Sequence, residues 1–379
     1  MPAPATSVVL RGESPTRVAA TLADSFRGAG PSGAGLVFLG GTLGERVEDV
    51  AGALAKSQLG IPLLVAAAAG VISERGEIEG EPAAAGLVFR GGRPEAVVTR
   101  APNHDDAATL LAARLSEGTR GVTSTAFVCM RAEGFGVDSL DPLRAVRSVS
   151  LFGAGTPGPA PIAAVTRDGE VELGIQGALL AKGLTPARVR SSPACRLLTP
   201  LRPITAARGP LLSEIAGAPA LDVLKNAAED LAGQPLILMV LAPEHTPEDA
   251  ARSELLVRGI QGVDPARRAI VLSGELEVGW RVAFAVRDAT SARADLELCA
   301  RELAREAGGA APLFGIYVSC ASRGASLYGS PDVDLRVIRG RFPEMPLIGL
   351  HSAFEIAPFE GKPSVHFYTG VMALFTRPS

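Results

Sequence analysis

Apolar and polar positions alternate along the chain with two different periods. Apolar residues at helical spacing predict helices near 15–28, from Leu43 to Ser57, near 105–116, from Ala220 to Leu231 and from Ala292 to Glu306. Between them, short continuous apolar runs predict buried strands at Leu36–Leu39, Pro62–Ala68, Thr125–Met130, Pro235–Leu241 and Leu313–Ser319, with shorter strands at 86–89 and 95–99. Gly and Pro clusters separate alternating segments over 151–180, and turns separate strands over 257–288, which is hairpin composition. The pattern predicts a mixed α/β (α+β) fold in two related halves, residues 1–215 and 216–379, with packed β-sheets flanked by helices.

An internal similarity supports the halves. GIPLLVAAAAGVI at 60–72 aligns without gaps on EMPLIGLHSAFEI at 344–356, matching Pro62 with Pro346, Leu63 with Leu347, Ala69 with Ala353 and Ile72 with Ile356. Each copy follows a strand and then a helix, so the simplest source is a duplicated strand, helix, strand unit. Ala67 and Ala68 stand where the later copy has His351 and Ser352, and Val71 stands where it has Glu355. One copy is an apolar wall and the other carries polar groups, the composition of a small-molecule site.

The polar candidates lie in two stretches. Ser319, Cys320, Ser322 and Arg323 follow a predicted buried strand, where small residues can turn backbone amides toward an anion with Arg323 beside them. The alternative is a tight turn with Arg323 paired to Asp332 or Asp334. Gly349, His351, Ser352, Glu355, His366 and Thr369 interrupt a second apolar region that holds two of the four histidines. A carboxylate such as Glu355 among apolar neighbours is either solvated or paired in a pocket.

Composition narrows the function classes. The 37 basic and 40 acidic side chains nearly cancel, so no electrostatic footprint points to nucleic acid or an anionic membrane. The longest apolar run, LGIPLLVAAAAGVI, is shorter than a bilayer span and contains Pro62. The start of the chain has no secretory pattern, so a cytoplasmic location is expected. Cys129, Cys195, Cys299 and Cys320 are widely spaced without a CxxC pair, and no metal site is expected.

At its C-terminal end the chain resembles the FIST sensory modules, the family joining F-box and intracellular signal transduction proteins. The resemblance rests on YVSCASRGASLYG at 317–329, RFPEMPLIGLHSAFEIAPFEG at 341–361 and HFYTGVMALF at 366–375. LVFLGG, IPLLVAAAAGVI, LFGAGTPG and the segment 195–221 extend it toward the N-terminus, so residues 1–215 resemble the N-terminal FIST part and 216–379 the C-terminal part. It departs from the family at Val65–Ala69 and at Phe354. The resemblance implies a signal-transduction sensor, not an enzyme, that binds a small molecule such as an amino acid or small acid and passes its signal to a separate output protein. Some similar proteins bind haem. With aromatic residues at only 4% and no attachment motif, haem is not favoured here. Two other readings stay open: a protein-interaction module with a vestigial pocket, and a cysteine hydrolase using Cys320 with His351 or His366 as base.

Overall fold

The computed structural model describes residues 4–30, 33–119, 123–229, 231, 236–246 and 255–376. Pro235, at the start of one predicted strand, lies outside them. The first unit runs β1 (Ala5–Arg11), α1 (Pro15–Gly28), β2 (Ala34–Gly40), α2 (Val47–Lys56), β3 (Leu63–Ala67), a hairpin of β4 (Gly70–Ser73) and β5 (Gly76–Glu79), and β6 (Ala83–Phe89). The second repeats this order: β7 (Glu95–Thr99), α3 (His104–Gly118), β8 (Ser124–Arg131), α4 (Asp141–Arg144), β9 (Val149–Thr156), the hairpin β10 (Ile162–Val165) and β11 (Val171–Gly174), and β12 (Gln176–Ala181).

A third copy opens with β13 (Arg188–Pro193) and is then interrupted. The insertion contains β14 (Cys195–Leu197), β15 (Arg202–Arg208), β16 (Leu211–Ile215), β17 (Ala218–Pro219), α5 (Ala220–Ala228), β18 (Ile237–Ala242), β19 (Leu256–Asp264), β20 (Ala269–Leu272) and β21 (Arg281–Arg287). Because β21 pairs with both β15 and β18, the sheet closes on itself as an antiparallel barrel around Met239, Leu241, Ile270 and Phe284. The 215/216 boundary falls inside this barrel, between the paired strands β16 and β17. The third copy resumes with α6 (Ala289–Glu306), β22 (Pro312–Cys320), α7 (Gly324–Tyr328), α8 (Val333–Arg341), β23 (Leu347–Ser352), the hairpin β24 (Glu355–Phe359) and β25 (Lys362–His366), and β26 (Thr369–Thr376). Asp288 caps α6, its carboxylate accepting from the Ser291 amide at 2.6 Å.

Each unit contributes four strands to its own sheet and donates its hairpin to a neighbour. The sheet orders are β1-β6-β2-β3-β10-β11, β7-β12-β8-β9-β24-β25 and β13-β26-β22-β23-β4-β5. Unit one thus gives its hairpin to unit three, unit three to unit two, and unit two to unit one, a cyclic exchange with threefold pseudosymmetry. In each unit the central pair is parallel, as a crossover through a helix requires, while its other pairings are antiparallel. The segments 60–72 and 344–356 occupy equivalent places in units one and three, so the similarity between them has a structural counterpart, and β9–β10 of unit two supplies a third.

The inner faces of all three sheets meet in one core containing Phe38, Phe127, Phe152, Phe314 and Phe375. Their outer faces are covered by α1 and α2, by α3 and α4, and by α6 and α8. This arrangement explains why β2, β6, β8 and β22 read as nearly continuous apolar runs: both faces are buried.

Candidate functional site

The strand ends of unit three place Ser319, Cys320, His351 and Ser352 on two opposite faces of one sheet, and the hairpin lent to unit two carries Glu355 and His366. Side chains alternate along a strand. Ile316, Val318, Ile348 and Leu350 face the central core, which puts Cys320 and Ser352 on that side. Tyr317 and Leu347 face the helices, which puts Ser319 and His351 on the other. Gly349 belongs to neither group. A Cβ there would sit 2.3 Å from the Tyr317 carbonyl oxygen, so close strand approach explains the glycine.

The inner group centres on Glu355, which is completely buried. Its Oε2 accepts from the Thr369 amide at 3.1 Å, and its Oε1 lies 2.8 Å from Ser352 Oγ, which also reaches the Ser319 carbonyl at 3.1 Å. Burial pushes the Glu355 carboxyl up to about 8, against the pull of Ser352 and the Thr369 amide. The geometry suits the neutral acid: Ser352 donates to the carbonyl and accepts from the protonated carboxyl. Cys320 Sγ lies 3.1 Å from Ser322 Oγ in the following turn, and half-buried Tyr368 neighbours Cys320 and Glu355.

Pseudosymmetry separates what the fold needs from what it does not. Val71 pairs with Leu350, Glu355 pairs with Ala154, and Ile162 stands one step beyond the Ala163–Val65 pair. These are equivalent positions, and Val71 and Ile162 are ordinary members of the central core. The scaffold therefore accepts an aliphatic side chain where unit three buries an acid. Ser352 likewise corresponds to Ala68 and Thr156.

Arg323 is not available to a ligand in this arrangement. It is 1% exposed, and Nε and Nη2 bond Asp334 at 2.6 and 3.3 Å. Nη1 donates to the Ser192 carbonyl, and Nη2 also reaches Ser192 Oγ and the Ala292 carbonyl. Tyr317 and Tyr328 donate their hydroxyls to the same carboxylate. Burial opposes ionisation of Asp334, but Arg323 and these donors outweigh it and hold the carboxyl below its usual range. The pairing weighed against an anion role, with Asp334 as partner, is the one present, and it ties β22, α6, α8 and β13 together.

The histidines also divide. His366 pairs with Glu355 across the hairpin and is fully buried, with no side chain bonded to either ring nitrogen and the Ala357 backbone approaching the ring. Burial and then Arg258 lower it to about 3, so it is a neutral ring. Arg258, itself buried, donates to the Val365 carbonyl and stands over the Phe367 ring at 5.9 Å. It also lines a cleft of about 230 Å³ between the barrel and β25, with Arg144, Trp280 and Lys362 on its walls. His351 lies on the outer face, away from Glu355.

Burial and then Glu355 push the Cys320 thiol up to about 11, and His351 lies across the sheet from it. Iodoacetamide at neutral pH should therefore modify native Cys320 far more slowly than the unfolded thiol. Equal rates, read by peptide mass mapping, would restore the hydrolase reading.

Sequence reasoning names Asp334 only as an alternative partner of Arg323, and it misses Ser192 as a further partner, Tyr317 and Tyr328 as donors to Asp334, and also Arg258, Glu77 and Glu79. Arg258 carried a weak signal as an arginine inside the apolar run LLVRGI. Ser192 carried none.

Comparison with known proteins adds an independent finding. Residues 220–358 match the family model for the FIST C domain. That span runs from α5 through most of β24, so it takes in the barrel strands after α5 together with Arg323, His351 and Glu355. An uncharacterized protein of Mycobacterium tuberculosis is 31% identical over 223 residues, covering 55% of this chain. An uncharacterized protein of Mycobacterium bovis is 32% identical over 180 residues, covering 45% of it. The chain spans 58% of the length of the first relative and 46% of the second.

Proposed function

From the premise that the chain carries a FIST C domain, a sensor-domain type associated with signal transduction, we propose that it senses a small molecule bound at the Glu355 cluster. The observation that carries this reading is a wholly buried carboxyl at a position where the two equivalent units hold Val71 and Ile162. Burying an acid is unfavourable, and the same fold shows it is unnecessary for packing. Such groups concentrate at functional sites.

The chemistry at the cluster favours a compact ligand with a cationic or hydroxyl donor for Glu355, in the size range of amino acids and small acids. A cation placed against Glu355 would compensate its charge and expel its proton. The signal leaves through a separate output protein. No helix among the described residues is long and apolar enough to cross a membrane.

The test is a thermal-unfolding screen of the protein against free amino acids and small carboxylic acids. A hit should raise the unfolding midpoint, and Glu355→Gln should lose about tenfold or more in affinity, since one charged hydrogen bond contributes about 1.5–3 kcal/mol. For a cationic hit, calorimetry at neutral pH in buffers of different ionisation enthalpy should show proton release. A hit whose affinity survives Glu355→Gln unchanged would remove Glu355 from the site.

A further inference from the structure

The outer face of the same sheet carries a cluster that the sensing proposal does not use. Glu79 on β5 pairs with Gly70 on β4, and Gly70 pairs with His351 on β23. The middle residue has no side chain, so the imidazole and the carboxylate meet above it. A Cβ on Gly70 would lie 2.9 Å from His351 Cδ2 and 3.1 Å from Glu79 Cγ. Glu77, two residues along β5, projects from the same face. One donor atom from each of Glu77, Glu79 and His351 lies within 4.8 Å of the other two.

The strongest sign of a ligand is His351 itself. It is 1% exposed, and among the described residues no side chain hydrogen-bonds to either ring nitrogen, while the Cys320 backbone approaches the ring. Nε2 lies 4.0 Å from Glu79 Oε1, too far for a hydrogen bond. Two ligands each about 2.0–2.2 Å from one cation stand about 3.4 Å apart at a tetrahedral angle and at most about 4.4 Å apart, so a small inward movement of the partly exposed Glu79 lets the two share an ion.

The carboxylates are already oriented. Glu79 Oε1 accepts from the Ala325 amide at 3.0 Å, and Glu77 Oε2 accepts from the Asp332 amide at 3.0 Å, which leaves each carboxylate further lone pairs. A Cβ on Gly324 would lie 2.4 Å from Glu79 Oε1, so a second glycine keeps the carboxylate's seat open. The Glu79 side chain is 27% exposed, which provides an entry path for an ion.

We propose that Glu77, Glu79 and His351 bind one divalent transition-metal cation, which fastens the hairpin donated by unit one to β23 of unit three. One imidazole with two carboxylates suits zinc or manganese, whereas calcium and magnesium prefer all-oxygen surroundings. The ion would also relieve repulsion between two carboxylates held side by side. This site lies on the opposite face of the sheet from Glu355, so its success or failure is independent of the sensing proposal.

The experiment uses untagged protein stripped with a chelator and dialysed against micromolar free Zn²⁺ or Mn²⁺, with bound metal measured by mass spectrometry. About one equivalent should bind, and amide exchange in 70–79 should slow. Glu79→Gln, at a partly exposed position that need not disturb folding, and His351→Gln should each weaken binding about tenfold or more. Circular dichroism identifies any variant that has not folded, and Glu79→Gln alone then decides. Absence of saturable binding by the unaltered protein overturns the proposal, and so does binding that a folded Glu79→Gln variant leaves unchanged.

Discussion

Replacing Arg323 with alanine is expected to destabilise the protein by about 3–5 kcal/mol, the range found when one partner of a buried ion pair is removed. The reason is what remains. Asp334 would stay 2% exposed with a charge answered only by the hydroxyls of Tyr317 and Tyr328. The Ser192 and Ala292 carbonyls would lose their donors as well. Lysine cannot rescue the site, because one ammonium cannot span the acceptors that the planar guanidinium reaches in two directions. By contrast, the exposed pair Arg11–Glu81, bonded at 2.7 Å with side chains 65% and 58% exposed, should change stability by less than about 1 kcal/mol when broken. Urea unfolding of the two alanine variants makes the comparison. A loss below about 1 kcal/mol for Arg323→Ala would mean that water reaches Asp334.

The same arginine shows where the sequence could be read and where it could not. Its placement just after a buried strand was legible, because Leu313–Ser319 is an apolar run ending in small polar residues, and the strand observed is Pro312–Cys320. Its role was not, because a nest of amides for an anion and an arginine locked to an acid eleven residues on look alike in a linear sequence. Asp334 lies in the first turn of α8, a position that ordinarily suggests a solvated helix start.

The two histidines show a second limit. His351 and Glu355 read as one site because both interrupt the same apolar stretch, and in one continuous strand residues 351 and 355 would indeed project from the same face. The chain instead leaves one sheet at Ser352 and joins another at Glu355, with the Ala353 amide bonding the Gly155 carbonyl and the Gly155 amide bonding the Phe354 carbonyl at the crossing. Periodicity stops at that break. The threefold repeat was hidden by related causes. The barrel separates β13 from α6, and unit two keeps the topology without the matching residues. The exchange of hairpins is invisible in principle, since alternation says that a strand has a buried face and not which sheet receives it.

Glu355→Gln is expected to change the pH dependence of stability more than its value at low pH. The free carboxyl ionises near 4.5 and the folded one near 8, so between those values the folded state keeps a proton that the unfolded chain releases. Raising the pH through this window therefore favours unfolding: the contribution is complete below about 4.5, declines steadily, and is gone above about 8. Relaxation and water entry reduce the full effect, which leaves about 2–4 kcal/mol for a wholly buried group. Glutamine keeps the shape, accepts from the Thr369 amide and donates to Ser352 Oγ without a charge to bury. Subtracting its stability from that of the unaltered protein cancels the groups that titrate independently of Glu355, including Glu77, which burial also raises, to about 7. Urea unfolding at about pH 5 and about pH 9 should show the unaltered protein losing those 2–4 kcal/mol relative to the variant. A difference that stays flat across the window would mean that Glu355 is already ionised in the folded state, and the buried neutral acid on which the sensing proposal rests would be lost with it.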